Sequence, residues 1–320
     1  MFGSCDSRAR RGAGWPATAL SEPVLATGDL VGVCSPAFAV RPGSLNAGLE
    51  WLSGAGFVLR MGRHVTARDG YLAGTDRQRG DDLRGLLEDS EVRGVWFARG
   101  GYGSARLLED LPWRAFARDP KPLVGYSDVT ALFAAALRSP GTLCLHGPVV
   151  TELADPQAYD RAALRRILAG RSDVVRFSRS AIVRPGRARG RLLGGNLTVL
   201  THLLGTRWLP KLEGAVLALE DTGEETYRLD RMFEHLRHAG VLRRVAAVVL
   251  GGFHPPHRKT FPPDREFGEV VMDAFGPLGV PVVRDLPFGH VLHKRTLPLG
   301  GLAELDTDAR SLRVTPCPVG

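Results

Sequence analysis

The sequence predicts an α/β protein of two units with a mostly parallel sheet. From Asp29 onward, short apolar runs alternate with stretches of helical periodicity, the pattern of strands and the helices that cover them. The chain has 320 residues, about twice the length of an ordinary single domain. Between about residues 151 and 191 apolar density falls and charge rises, with Pro156, Pro185 and several glycines, which marks a connection. The expected organisation is a disordered basic tail over 1–24, an N-terminal unit over 25–165, a linker over 166–190 and a C-terminal unit over 191–320.

The elements follow in order. Asp29 to Cys34 reads as a strand, and Ser44 as the cap of a helix carrying Leu45, Leu49 and Leu52, stopped by Gly54 and Gly56. Thr75 and Gln78 have the spacing of a capping box before Leu83, Leu86 and Leu87. Val95 to Ala98 is the next strand and Ser104 to Leu111 the next helix. Pro122 to Tyr126 reads as a buried strand, after which Val129, Leu132, Phe133, Ala136 and Leu137 recur at helical spacing. Leu143 to Val150 is extended. Beyond the linker come a strand near Arg191 to Leu193, a helix from Asn196 to Leu204 and a strand from Ala215 to Leu219. A helix from about Thr226 to Ala239, a strand Val245 to Leu250, a helix from about Asp264 to Phe275 and a strand Val280 to Val283 complete the alternation. The tail is β-rich, with Asp308-Ala309-Arg310 as a turn before Leu312 to Val314.

A composition of 44% hydrophobic and 24% charged residues is that of a globular protein with a sizeable core. The net charge of +8 raises the question of nucleic acid, but the basic residues are spread along the chain and form no block interleaved with aromatics. No nucleic-acid partner is expected. Cys5, Cys34, Cys144 and Cys317 lie far apart, outside any C-x-x-C spacing, so neither a disulfide framework nor a zinc site is expected. The first two dozen residues lack the apolar stretch of a secretory signal, and no apolar run approaches the length of a membrane span. The expected setting is cytoplasmic, with no membrane partner.

Several segments could carry chemistry. Ser127 and Asp128 stand at a strand-to-helix turn, which is either a nucleophile elbow exposing a serine oxygen or simply a helix cap. The Arg99-Gly100-Gly101-Tyr102-Gly103 turn can present N–H groups to an anion, or be a plain tight turn. It lacks the Lys-Ser/Thr of a phosphate loop, which weakens the reading as a non-catalytic nucleotide-binding or sensory module. Glu220 ends the apolar strand VLAL and is either an orienting acid or a surface charge; Asp221, Glu224 and Glu225 have the ordinary reading of helix-end carboxylates. Among nine histidines, His290 directly follows a strand with Pro287 and Gly289 fixing its turn. His254 with His257, and His290 with His293, lack the spacing and third ligand of a metal site. No metal and no cofactor are expected.

Taken in order, further segments join these. They are Gly28-Asp29-Leu30 with Ser35-Pro36-Ala37, Tyr71-Leu72-Ala73-Gly74-Thr75-Asp76, the Arg99 to Gly103 turn, and Gly125-Tyr126-Ser127-Asp128-Val129-Thr130-Ala131. Later come His146-Gly147-Pro148, Gly194-Gly195-Asn196-Leu197, Leu219-Glu220-Asp221, Tyr227 to Met232, Phe288-Gly289-His290 and Thr296 to Gly300. The ordered set resembles the L,D-carboxypeptidase family, which includes murein tetrapeptide carboxypeptidases and microcin-immunity peptidases. The resemblance implies an N-terminal α/β domain and a C-terminal β-rich α/β domain, usually as a homodimer. It implies Ser127 as nucleophile, Glu220 as the acid that orients the base, and His290 as the base. It further implies an oxyanion hole from the N–H groups of Asp128 and Gly101. Arg99, Gly100 and Tyr102 are expected to bind substrate, since their turn offers N–H groups and a guanidinium to a terminal carboxylate. The implied substrate is a small muropeptide, cut between the L-centre of a diamino acid and a terminal D-alanine; the alternative is a peptide or aminoacyl-nucleotide conjugate. Phe38 departs from the family, standing where glycine is usual.

Overall fold

A computed structural model describes residues 22–255 and 265–318. Most of the expected tail, together with Cys5, His257, Lys259 and Asp264, lies outside the described residues. The first unit runs β1 (Leu30–Cys34), α1 (Pro42–Gly54), β2 (Val58–Met61), α2 (Asp76–Glu88), β3 (Val92–Phe97), α3 (Trp113–Phe116), β4 (Leu123–Gly125), α4 (Thr130–Ala136) and β5 (Cys144–His146). Then come α5 (Arg161–Leu168), β6 (Asp173–Arg176), β7 (Ile182–Arg184), β8 (Arg187–Asn196), α6 (Leu197–His202), β9 (Val216–Thr222) and α7 (Thr226–His238). The remainder is β10 (Ala247–His254), α8 (Phe267–Phe275), β11 (Val282–Val283), β12 (Leu297–Leu299), β13 (Leu302–Asp306) and β14 (Ser311–Thr315).

Among the described residues, six strands form one sheet in the order β12-β5-β4-β3-β1-β2, parallel except where β12 runs against β5. Eight form a second, β6-β14-β13-β8-β9-β10-β11-β7, with β8 to β11 parallel and antiparallel pairings outside them. The mixed second sheet is the β-rich α/β unit. In the first sheet Val33, Val95, Trp96, Phe97, Val124 and Leu145 are fully buried, as expected of strands covered on both faces.

Local chemistry explains where expectation and structure agree. The Thr75–Gln78 capping box forms, with Gln78 Oε1 accepting from Thr75 N at 2.9 Å and Thr75 Oγ1 from Gln78 N at 3.3 Å. Other expectations are corrected. Ser44 is not a cap: α1 begins at Pro42, whose missing N–H is harmless in a first turn. The helix expected over Ser104 to Leu111 is a single 3-10 turn, Ser104–Leu107, with Ser104 engaged by Asp128. Glu220 does not end its strand, since β9 runs on to Thr222.

The stretch 166–190, expected as a linker, holds the end of α5 and the strands β6 and β7, which lie at opposite edges of the second sheet. Short, arginine-bearing edge strands have the composition of a connection, which is why apolar density does not reveal them. In the reverse direction, β12 leaves the C-terminal segment to complete the first sheet. Cys34, Cys144 and Cys317 are buried, and burial pushes the thiols of the first two well up. No helix among the described residues is long and apolar enough to cross a membrane.

Candidate active site

The carboxyl ends of β3 and β4 carry the two turns that face each other. After β4 the chain passes through extended Tyr126 into Ser127, whose φ of 67° is left-handed, and then into a 3-10 turn leading to α4. A non-glycine residue in that region costs about 1–2 kcal/mol and must be held by its surroundings. Here α4 is buried throughout, and Asp128 locks the turn: its carboxylate accepts from Ser104 N at 2.8 Å, while Ser104 Oγ donates to Asp128 O at 2.6 Å. Burial raises the Asp128 carboxyl above its ordinary value against the hydrogen bonds from Ser104 and Gly103.

Those bonds bring the Arg99 to Gly103 turn onto the elbow. A Cβ on Gly100 would lie 3.0 Å from Ser127 Cβ and 3.3 Å from its Oγ, tighter than most real Cβ contacts, so the close approach favours glycine. Gly101, at φ +120°, has Phe38 behind it, 2.3 Å from where a Cβ would sit. Fully buried Arg79 ties the loops beneath, donating to Gly103 O at 3.0 Å, to Gly74 O at 3.3 Å and to Pro36 O, and pairing with Asp76. Arg99 is half-buried; it donates to Ala39 O at 2.9 Å and lies over the Phe38 ring. Tyr102 is exposed beside Tyr71, itself edge-on to Phe38.

The other half of the site comes from the second unit. Successive strand residues face opposite ways, so Glu220 and Asp221 have different partners. Asp221 is buried and accepts from Thr198 N, Thr198 Oγ1, Asn196 Nδ2 and Thr222 N at 2.8–3.0 Å. Glu224 pairs with Arg228 at 2.6 Å on α7. Glu220 is fully buried, and its Oε2 accepts from His290 Nδ1 at 2.6 Å. Gly289, at φ +85°, brings the chain so close that a Cβ there would lie 2.5 Å from Glu220 Cγ. With Nδ1 committed to the carboxylate, Nε2 of His290 is left as the proton acceptor.

Electrostatics match this geometry. Burial alone would raise the Glu220 carboxyl, but His146 and His290 outweigh it and hold the group down to about 2. For His290, burial acts to lower the value, and the hydrogen bond and charge of Glu220 more than offset it, with Lys294 opposing, so the imidazole is raised above 6.5. The Tyr126 ring packs on His290 at 4.8 Å, and its hydroxyl donates to Glu152 at 2.7 Å. Lys294 braces both, at 2.8 Å from Glu152 and 3.2 Å from the Tyr126 hydroxyl. Ser127 Oγ makes no hydrogen bond to His290 among the described residues.

Ser127, Asp128, Gly100, Gly101, Glu220 and His290 thus converge where the two units meet, with Arg99 and Tyr102 on the rim. Sequence reasoning assigned no role to Tyr126, Glu152, Lys294 or His146. Tyr126 and His146 belonged to segments already singled out, Gly125 to Ala131 and His146-Gly147-Pro148, but Glu152 and Lys294 did not. No three His, Cys, Asp or Glu side chains among the described residues converge as metal ligands would.

Comparison with known proteins finds a match over residues 31–147 to the family described as LD-carboxypeptidase N-terminal domain. A second match covers residues 189–305, to the LD-carboxypeptidase C-terminal domain. The chain is 37% identical over 290 residues to the murein tetrapeptide carboxypeptidase of Pseudomonas aeruginosa, covering 86% of this chain and 92% of that one. It is 27% identical over 326 residues to the microcin C7 self-immunity protein MccF of Escherichia coli, covering 91% and 94%. The crystal structure of muramoyltetrapeptide carboxypeptidase from Oxalobacter formigenes superposes with a TM-score of 0.81 at 30% identity, covering 91% of this chain and all of the other.

Proposed function

The chain belongs to the LD-carboxypeptidase family, and from that premise we propose that it removes the terminal D-alanine of a murein tetrapeptide through a Ser127-His290-Glu220 triad. The observation that carries this reading is the Glu220–His290 hydrogen bond, with the His290 ring packed on Tyr126, the residue that precedes Ser127. Nε2 of His290 takes the Ser127 hydroxyl proton as Oγ bonds to the carbonyl carbon of the diamino acid's L-centre. The oxyanion is met by N–H groups of Asp128 and Gly101. Collapse breaks the C–N bond; His290 gives its proton to the departing D-alanine nitrogen, and water then releases the acyl group by the same steps reversed. Glu220 holds the imidazole tautomer and offsets the imidazolium charge.

An exopeptidase must also bind the free terminal carboxylate, and the Arg99 to Gly103 turn, beside Ser127, offers N–H groups and a guanidinium. The test is mass detection of the product from tetrapeptides ending in D-Ala, L-Ala and D-Ala-amide. Release from D-Ala alone is expected, with kcat/KM on the amide lower by about 10² or more, the scale of a lost charge-assisted bond. Equal rates on all three would remove the reading.

Resemblance to MccF supports a second reading, cleavage of an aminoacyl-nucleotide conjugate, tested by adding such a conjugate to the same assay. Trp208, a ring that could stack on a base, is only 8% exposed and packs against Trp113 and Arg207, which disfavours it. A cytoplasmic homodimer acting in peptidoglycan recycling is part of the proposal, and sedimentation of the purified chain tests the dimer.

A further inference from the structure

His146 ends β5 in the first sheet, yet its ring reaches the acid carried by the second. It is 2% exposed, and neither ring nitrogen has a hydrogen-bond partner. Glu220 Oε1, the oxygen that His290 does not use, is likewise buried without a partner. These two groups face each other, with His146 Nε2 3.6 Å from Glu220 Oε1. That is about 0.7 Å beyond a charge-assisted N–H···O bond of about 2.9 Å, and both groups carry the penalty of unpaired burial until it closes. Tyr126 and Phe288 pack edge-on to the His146 ring, at 5.8 and 6.1 Å, and fix its plane.

We propose that His146 is a positioning residue, which carries its ring proton on Nε2 and donates it to Glu220 Oε1, so that one carboxylate is held between two imidazoles from the two units. This tautomer directs the donor at the charge and leaves only an acceptor, Nδ1, without a partner. Two consequences follow for the triad, on whose reading the inference rests. The carboxylate cannot rotate away from His290 when Ser127 attacks. Its charge is also shared, so His290 is less basic than it would be with Glu220 to itself.

The groups that face this pair are few. Glu220 meets His146 from β5, His290 from the turn after β11, Tyr126 from the elbow and its neighbour Asp221; His290 meets Glu220, Asp221, Tyr126 and Lys294. Among the described residues, His146 is the donor that faces Oε1 and leaves Oε2 to His290.

His146→Leu keeps the volume and deletes the donor, whereas His146→Gln can place an amide N–H near Nε2. For the leucine variant we expect kcat to fall about tenfold or more, KM to hold, and the acid limb of kcat/KM to move up by about 0.5 pH unit or more as Glu220 concentrates on His290. The glutamine variant should recover to within about threefold with its limb near wild type. A leucine variant with an unmoved limb, or equal damage from both substitutions, overturns the proposal in favour of packing alone. Should the leucine variant not fold, the ¹⁵N spectrum of the histidine rings in the Ser127→Ala protein decides. The Nε2–H tautomer at His146 is expected, and an Nδ1–H tautomer or an imidazolium overturns it. That spectrum requires no substrate, so a wrong substrate assignment leaves it untouched.

Discussion

Thr130 Oγ1 accepts a hydrogen bond from the backbone N–H of Asn196 at 3.0 Å, tying the helix that follows Ser127 to the second sheet. Asn196 is paired in register with Glu220 across β8 and β9, and its own side chain donates to Asp221. A single bond therefore aligns the elbow of one unit with the acid of the other. Thr130→Val keeps the shape and leaves a buried N–H unpaired, at about 1–3 kcal/mol. We expect kcat to fall about tenfold with KM little changed, measured beside the melting temperature; unchanged kcat would show that the units need no such alignment.

Ser127→Ala should abolish turnover while leaving the fold in place, because alanine removes one half-buried oxygen and creates no core cavity. Loss of a triad nucleophile costs about 10⁴ to 10⁶ in kcat. Retention of a tenth of wild-type kcat would transfer the role to another hydroxyl.

Glu220→Gln and Asp221→Asn are adjacent changes with opposite expected readouts. The first removes the charge behind His290 and should lower kcat by orders of magnitude at similar KM. The second weakens a carboxylate bonded to Thr198, Thr222 and Asn196, so unfolding free energy should drop by about 1–3 kcal/mol while kcat falls far less. Equal kinetic damage would make the two acids share the role.

The pH profile follows from the same pair. His290 must be neutral to act as base, and its value is raised above 6.5, so the acid limb of kcat/KM should lie above 6.5. For stability the signs are opposite. Raised His290 contributes stability fully present below its unfolded value of 6.5 and lost as pH rises through its folded value. Glu220, held to about 2, contributes stability present above its unfolded value of 4.5 and lost as pH falls toward about 2. The pair should therefore stabilise most between 4.5 and 6.5, a maximum that urea titrations across pH should show and that Glu220→Gln should flatten.

By itself the sequence determined what local chemistry controls. The Thr75–Gln78 capping box, the apolar strands of both sheets and the strand-turn-helix at Ser127 were legible because hydrogen bonds and apolar periodicity within a few residues specify them. The ordered segments also identified the family, since each needs its residues for a local turn or cap. Tertiary structure decided what depends on distant chain. The lysine-braced Tyr126, the approach of Gly100 to Ser127 and the sharing of Glu220 by His146 and His290 join segments 27 to 168 residues apart, with no periodicity to announce them. Edge strands β6 and β7 were hidden for a related reason: at a sheet edge one side faces solvent, so their apolar signal is weak and only pairing with β14 and β11 fixes them. The surface-charge reading of Glu220 is removed the same way, by a burial that no window of sequence contains.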